Sequence, residues 1–356
     1  MKRIGKKMAA AVILAAAVCS CATELPASAD ADYKILWISD IHIQNHPRKD
    51  AKLFRTLELM ADGVKPDLLV LTGDLTSEYE NRPAFETFAA FAESLCIPWA
   101  FVFGNHDAEG RASKPELDAF LSDPSLRYCI YESGPPMKPG AGSVPATAPM
   151  GHYRYSVCRF DWDRPAAVLL FMDSGSGLPK TEAAAADRSL DRFGDYDCFH
   201  EDQIEWYENE IEAVRREFGA AKSSDVPTLA FFHIPTKEFI AEYDAARREN
   251  RVLDGASREH LERTGCSWKD DGMYEAMVRL GSTKGIFVGH DHMKNYTILS
   301  RDGIRMTYAY SGDHNIYLVP KTGGTLIRVK QDGSFTTTGL YRLRGGNRIY
   351  FGKEIR

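Results

Sequence analysis

Tyr33-Lys-Ile-Leu-Trp-Ile-Ser39, followed at once by Asp40-Ile-His42, is the stretch that decides the fold. A short apolar run bounded by polar residues is the pattern of a buried strand, and here a carboxylate and an imidazole stand at its carboxyl end. The same order then repeats. Asp50 to Met60 carries Leu53, Phe54, Leu57 and Met60 at helical spacing, and the strand-like Asp67 to Leu71 leads into Gly73-Asp74. Pro83 to Leu95 reads as a helix with Phe85, Phe88, Phe91 and Leu95 turned inward as core, and Trp99 to Phe103 as a third strand, closing on Gly104-Asn105-His106-Asp107. Strand, helix, strand, helix, strand predicts an α/β fold with a parallel sheet and crossover helices.

Downstream the pattern is looser. Ser133 to Gly151 contains five prolines and, besides Gly151, three glycines, which predicts a loop. Tyr153 to Val157 and Ala167 to Met172 look like two paired strands, Leu178 to Asp197 like a polar, irregular insertion, and Glu201 to Phe218 like a helix through Ile204, Trp206, Tyr207 and Ile211. Strands return at Thr228 to Phe232, Gly285 to Val288, Arg305 to Tyr310 and Thr325 to Val329. His233 follows the first of these, and Gly289-His290-Asp291-His292 the second. With no internal repeat and no linker, one domain over 33–350 is the expectation.

The amino terminus carries a different message. Lys2, Arg3, Lys6 and Lys7 precede an unbroken apolar run from Met8 to Val18, the form of an export signal assigned to residues 1–20. Eleven apolar residues are too few to span a bilayer of about 30 Å. Val18-Cys19-Ser20-Cys21 resembles a bacterial lipobox, which would leave the chain anchored to a membrane through a lipidated Cys21; ordinary cleavage near Ala27 or Ala29 would release it free. Both routes put the working protein outside the cytoplasm, whether secreted, periplasmic or anchored at the surface. Residues 1–20 hold four of the 44 lysines and arginines and none of the 50 acidic residues, so the remainder has 40 basic against 50 acidic groups, a net charge of −10. That balance disfavours general nucleic-acid binding. Beyond Cys19 and Cys21 remain Cys96, Cys129, Cys158, Cys198 and Cys266, an odd number with no CxxC spacing, which argues for buried thiols with at most two bridges.

The five motifs stand at the carboxyl ends of predicted strands, where open α/β sheets collect their sites. Together they supply carboxylates, imidazoles and one side-chain amide but no thiolate, a donor set suited to hard and borderline divalent metals. Alternation along an extended chain would direct both outer residues of Asp40-x-His42, and of His290-x-His292, to one side. Asp74 could bridge two ions, and glycines at 73, 104 and 289 let the backbone come close. Other polar residues carry bland readings: Asp173 and Ser174 a turn, His314 a loop residue, His152 and His200 surface or packing residues, and Arg247, Arg248 and Arg251 a solvated helix face.

In composition and order these motifs resemble those of the calcineurin-like metallophosphoesterases, over roughly residues 33 to 315. Gly151-His-Tyr-Arg-Tyr-Ser-Val157, Met172-Asp-Ser174, Gln203-x-x-Trp206 and Phe231-Phe-His-Ile-Pro235 are similar to the branch related to purple acid phosphatases. The resemblance implies a four-layer α-β-β-α sandwich of two mixed sheets flanked by helices. It also implies two divalent ions, one held by Asp40, His42, Asp74 and His292 and the other by Asp74, Asn105, His233 and His290. His106 would be the acid beside them and Asp107 its orienting partner. Purple acid phosphatases proper carry a tyrosine three residues after the bridging aspartate; Ser77 stands there, so no purple ferric site is expected and manganese, iron and zinc stay open. The implied activity is hydrolysis of a phosphate-ester substrate by hydroxide held between the metals. A surface protein that keeps the metal site without turnover is the rival reading, and a nuclease or nucleotidase is weakened by the acidic balance.

Overall fold

The computed structural model describes residues 32–138, 148–158, 165–178, 195–257, 262–269, 272–313, 321–344 and 346–356. The export-signal region with Cys19 and Cys21, most of the 178–197 insertion, and His314 lie outside these residues.

Two mixed sheets stand face to face. The first has the order β13-β12-β11-β1-β2-β3 and the second β4-β5-β6-β8-β10-β9-β7. In the first, β1 (Tyr33–Ile38), β2 (Leu68–Thr72) and β3 (Trp99–Val102) run parallel, while β11 (Lys321–Val329), β12 (Phe335–Leu343) and β13 (Ile349–Ile355) continue it antiparallel on the far side of β1. In the second, β5 (Pro165–Phe171), β6 (Thr228–Phe231), β8 (Thr283–Val288) and β10 (Arg305–Tyr308) are parallel, with β4 (Tyr153–Cys158), β9 (Thr297–Leu299) and β7 (Val252–Asp254) antiparallel at the margins. Helices α1 (Pro47–Val64), α2 (Arg82–Ser94), α3 (Lys114–Leu121), α4 (Glu201–Glu217), α5 (Glu238–Arg248) and α6 (Met273–Leu280) flank them.

The period of two along β5 sorts the core into layers. Ala167, Leu169 and Phe171 face the first sheet, while Val168 and Leu170 face the apolar side of α4 with Tyr207, Ile211 and Val214. Between the sheets, Phe171, Phe231 and Phe287 stack at 5.4 and 4.8 Å, and Trp37 of β1 meets Phe287 edge-on at 5.2 Å. Helix α1 starts after His46 with Pro47 in its first turn, where a missing N–H costs nothing, and the Asp50 carboxylate accepts from the His46 amide at 2.7 Å. Phe85 and Phe88 are core as expected, while Phe91 and Leu95 are only partly buried at its edge. Cys96 is exposed and Cys129 and Cys198 are half-buried, contrary to the expectation of buried thiols, and none of these or the buried Cys266 is in a disulfide.

Candidate metal centre

Every strand that the sequence marked with a motif delivers it to the same end of the two-sheet stack. Asp40 and His42 follow β1, Asp74 follows β2 and Asn105 follows β3, all from the first sheet; His233 follows β6, and His290 and His292 follow β8, from the second. Asp40, His42, Asp74 and His292 place one ligand atom each within 4.8 Å of one another, and so do Asp74, His233 and His290, with Asp74 common to both groups. Asn105 joins the second group, its Oδ1 standing 3.1 Å from His233 Nε2. All are buried except His290, which is half-buried. Either group could hold a metal ion.

Lone pairs converge at this centre as they would around cations. His233 Nδ1 lies 2.8 Å from the Thr72 carbonyl, which can only accept, so this nitrogen carries the proton. Nε2 of the neutral ring is then an acceptor, yet it faces two more acceptors, Asn105 Oδ1 at 3.1 Å and Asp74 Oδ2 at 3.2 Å. His42 Nε2 and His292 Nε2 point at each other across 3.2 Å, where at most one proton fits between them. A divalent ion can take these lone pairs in place of a proton, since imidazole nitrogens with carboxylate and amide oxygens are donors that divalent ions accept.

The titration behaviour points the same way. Burial pulls His42 down to about 4 and His290 well below its ordinary value, leaving both neutral, the form that ligates. Burial also pulls on His233, but the Asp74 carboxylate outweighs it and pushes this ring up to about 10. Burial raises Asp40; at Asp74 burial is outweighed by His233, and the carboxyl is held well below the usual range. The carboxylates thus demand a positive charge beside them.

The turns that present these side chains are unusual. The backbone is left-handed at Asp40 (φ 53°), His42 (φ 43°), Asp74 (φ 49°) and His290 (φ 74°). Strand alternation therefore does not orient the Asp40-x-His42 pair, and His290 and His292 go to different groups. The conformations are held by hydrogen bonds from the Asp40 amide to Gly73 O and from the His42 amide to Asp74 O, both 3.1 Å, and by His290 N donating to the Asp40 carboxylate. At Gly104 a Cβ would overlap Asp74, and at Gly289 it would overlap Ser39, so the close approach expected of these glycines is real.

His106 borders the centre, its ring 5.8 Å from that of His42 and its amide donating to Asp74 Oδ1 at 3.0 Å. Asp107 departs from expectation. Its carboxylate is fully buried and accepts from the amides of Asp74 (3.0 Å), Leu75 (2.8 Å) and Gly104 (2.7 Å), so it ties the β2 and β3 turns together rather than orienting His106. The partner of His106 Nδ1 is Glu109, at 2.6 Å. That hydrogen bond raises the ring to about 9.

A cavity of about 280 Å³ opens over the centre, lined by Asp74, His106, Tyr196, Arg263, His290 and His292 among others. Tyr196 meets His290 edge-on at 4.3 Å. Asp291 turns away from the centre and takes the Gly265 amide at 2.9 Å, the Tyr308 hydroxyl and the Lys294 ammonium, tying the cavity wall to the histidine turn. Behind His292 Nδ1 stand Ser311 Oγ at 3.3 Å and Asp313 at 3.7 Å. Sequence reasoning missed Glu109, Asp313, Tyr196 and Arg263. An acid three residues after His106 was a readable signal; Tyr196 and Arg263 had none. Asp173 does make the turn expected of it, accepting from Gly175 N at 2.8 Å, but it also pairs with buried Lys114 at 2.7 Å. His152 is a buried packing residue, Arg247 and Arg248 are exposed on α5, and Arg251 pairs with Glu242 and Glu249.

Two sheets flanked by helices, with an acid-and-histidine centre at the carboxyl ends of their strands, define a metallophosphoesterase fold. The sequence profile of the calcineurin-like phosphoesterases matches residues 33–294, and the chain belongs to that family. A probable inactive purple acid phosphatase 29 of Arabidopsis thaliana is 24% identical over 315 residues, covering 78% of this chain and 74% of the relative. Phosphatase DCR2 of Saccharomyces cerevisiae is 26% identical over 331 residues, covering 87% of this chain and 52% of the relative. A cAMP/cGMP dual specificity phosphodiesterase of Mycobacterium tuberculosis is 34% identical over 118 residues, covering 28% of this chain and 36% of that protein.

Proposed function

We propose that the protein is a dinuclear-metal phosphatase or phosphodiesterase that hydrolyses phosphate esters outside the cytoplasm. The observation that carries the reading is the double convergence of lone pairs, at His233 with Asn105 and Asp74 and at His42 with His292, directly beneath a cavity bordered by His106. Asp40, His42, Asp74 and His292 would hold one ion and Asp74, Asn105, His233 and His290 the other. Manganese, iron or zinc bound there supplies a water of lowered pKa and charge for the phosphoryl oxygens.

The chain's own part is positioning and proton transfer. Asp74 sits between the two groups and fixes their spacing, while the Thr72 carbonyl sets the His233 tautomer. His106, outside both groups but on the cavity wall, is placed to give a proton to the departing oxygen. Arg263 lines the same wall beside Glu262, a basic side chain of the kind that pairs with an anionic ester. Export rests on the basic-then-apolar stretch of residues 2–18, and fractionation of expressing cells checks it.

The test is hydrolysis of p-nitrophenyl phosphate and bis(p-nitrophenyl) phosphate by metal-stripped protein resupplied with manganese, iron or zinc. Turnover should return with metal and vanish in Asp74→Asn, while His106→Ala should lose about 100-fold or more on an ester with a poor leaving group such as phenyl phosphate. The preferred ester separates monoesterase from diesterase. Two bound ions with no turnover of either ester would favour the rival, binding without catalysis, which the relatives named as inactive keep in view.

A further inference from the structure

We propose that Glu109 is the positioning residue for His106, gripping the ring by Nδ1 so that Nε2 is the nitrogen presented to the leaving oxygen of the substrate. The proposal rests on the phosphoesterase reading above and adds to it a residue outside the metal groups. An imidazole has two nitrogens, and the Glu109 carboxylate holds Nδ1 at 2.6 Å; Nε2 alone is left to act on the cavity that His106 borders.

The placement comes from the backbone. Glu109 N donates to His106 O at 3.1 Å, closing a tight turn that brings the two side chains together. That turn is pinned on every side. Its first amide, at His106, is bound to Asp74 Oδ1 at 3.0 Å. The Asp107 carboxylate holds it to the β2 turn, and Asn81 Nδ2 donates to the Asp107 carbonyl at 2.9 Å. Just beyond, Arg111 N donates to Tyr79 O at 2.6 Å. Asp107, the nearer acid in sequence, is committed to backbone amides, which leaves Glu109 to hold the ring.

The chemistry balances without a further reactant. As the phosphorus–oxygen bond to the leaving group breaks, the oxygen takes the bonding pair and the proton from Nε2–H. The ring ends neutral, with Nδ1–H still donated to Glu109. A leaving group that departs readily as an anion needs no such proton, so the role of Glu109 shows only with poor leaving groups.

The experiment compares wild type, Glu109→Ala, Glu109→Gln, His106→Ala and the His106→Ala/Glu109→Ala double variant, all metal-loaded, on p-nitrophenyl phosphate and phenyl phosphate. An exposed i, i+3 pair contributes little to stability, so the Glu109 variants should melt like wild type. With Glu109→Ala, kcat on phenyl phosphate should fall about 10-fold, with KM nearly unchanged and p-nitrophenyl phosphate turnover within about 2-fold of wild type. Glu109→Gln, which keeps an acceptor, should lie between, and the double variant should be no worse than His106→Ala. Equal losses on both esters, losses that add to those of His106→Ala, or no loss on phenyl phosphate would overturn the proposal. A readout independent of turnover is nitrogen-15 NMR of the zinc-loaded protein: the His106 Nδ1 proton should be retained in wild type and lost to tautomer mixing in Glu109→Ala. An unchanged Nδ1 proton in that variant overturns the grip by itself. Wild type that cleaves neither of these monoesters nor bis(p-nitrophenyl) phosphate sinks the parent reading instead, with the NMR comparison still deciding the positioning.

Discussion

At the scale of the residue, His152 shows how a buried ring outside the metal centre governs stability. Gln203 Nε2 donates to His152 Nε2 at 2.9 Å and also to the Asp173 carbonyl at 2.7 Å, so the imidazole accepts and must be neutral. Burial, helped by the nearby Lys114 ammonium, pulls the ring down to about 3. The sign follows: a histidine whose folded pKa lies below its unfolded value of 6.5 stabilises the fold above pH 6.5, and that contribution is lost as pH falls from 6.5 towards about 3. His152→Gln keeps an acceptor for Gln203 and does not titrate. Urea midpoints measured every half unit should fall more steeply in wild type than in His152→Gln across that window, the gap growing by at most about 1.4 kcal/mol per pH unit. Parallel curves would show that His152 is not the group responsible. Nothing in the sequence separated this histidine from a surface one, because its burial is made by Gln203 and Trp206, more than fifty positions away along the chain.

At the scale of the element, α3 is fastened from its first residue. Ser113 and Glu116 form a capping box, with Ser113 N and Oγ both donating to the Glu116 carboxylate at 2.8 and 2.7 Å. Lys114 then reaches Asp173 beyond the end of β5, both side chains fully buried, while Met150 N donates to the same carboxylate oxygen at 2.9 Å. Lys114→Met should leave that carboxylate buried without its cation and destabilise the fold by about 3 kcal/mol, while adding Asp173→Asn should recover much of it. Chemical denaturation checks this; a cost under about 1 kcal/mol for Lys114→Met would mean the pair is replaceable by neighbouring amides. This helix also marks where the sequence stopped being readable. The long periodic helices α1, α2 and α4 and the apolar strands β1, β2, β3, β5, β6 and β8 were all expected near their observed places. Helix α3 has a buried lysine where an apolar residue would announce a face, and α6 is only eight residues between Gly272 and Gly281. In β12, Thr336, Thr337 and Thr338 are all buried, so no alternation betrays the strand, and β7 and β9 have three residues each.

At the scale of the whole molecule, the centre is the seam between the two sheets. Asp40, His42, Asp74 and Asn105 come from the first sheet, and His233, His290 and His292 from the second, so each ligand group draws on both. The ligands themselves were legible, since each stands at the end of a readable strand. The cavity wall was not, since Tyr196 and Arg263 arrive from segments whose place is fixed by distant partners, such as Asp291 holding Gly265. An ion held in either group therefore cross-links the sheets, and without one the raised His233 ring has to carry the positive charge beside Asp74. Ligand binding to the folded state alone adds about 2.7 kcal/mol at a free metal concentration a hundred times Kd. For a chain of this size that corresponds to a shift of roughly 5 °C in the melting midpoint. Stripping the protein with chelator at neutral pH should lower Tm by about that amount, and resupplied manganese or zinc should restore it in proportion to the logarithm of concentration. Asp74→Asn, which removes a donor shared by both groups, should melt at nearly the same temperature with and without metal. A wild-type midpoint that ignores both chelator and metal would mean that no ion bridges the sheets, and would remove the physical basis for the proposed chemistry along with it.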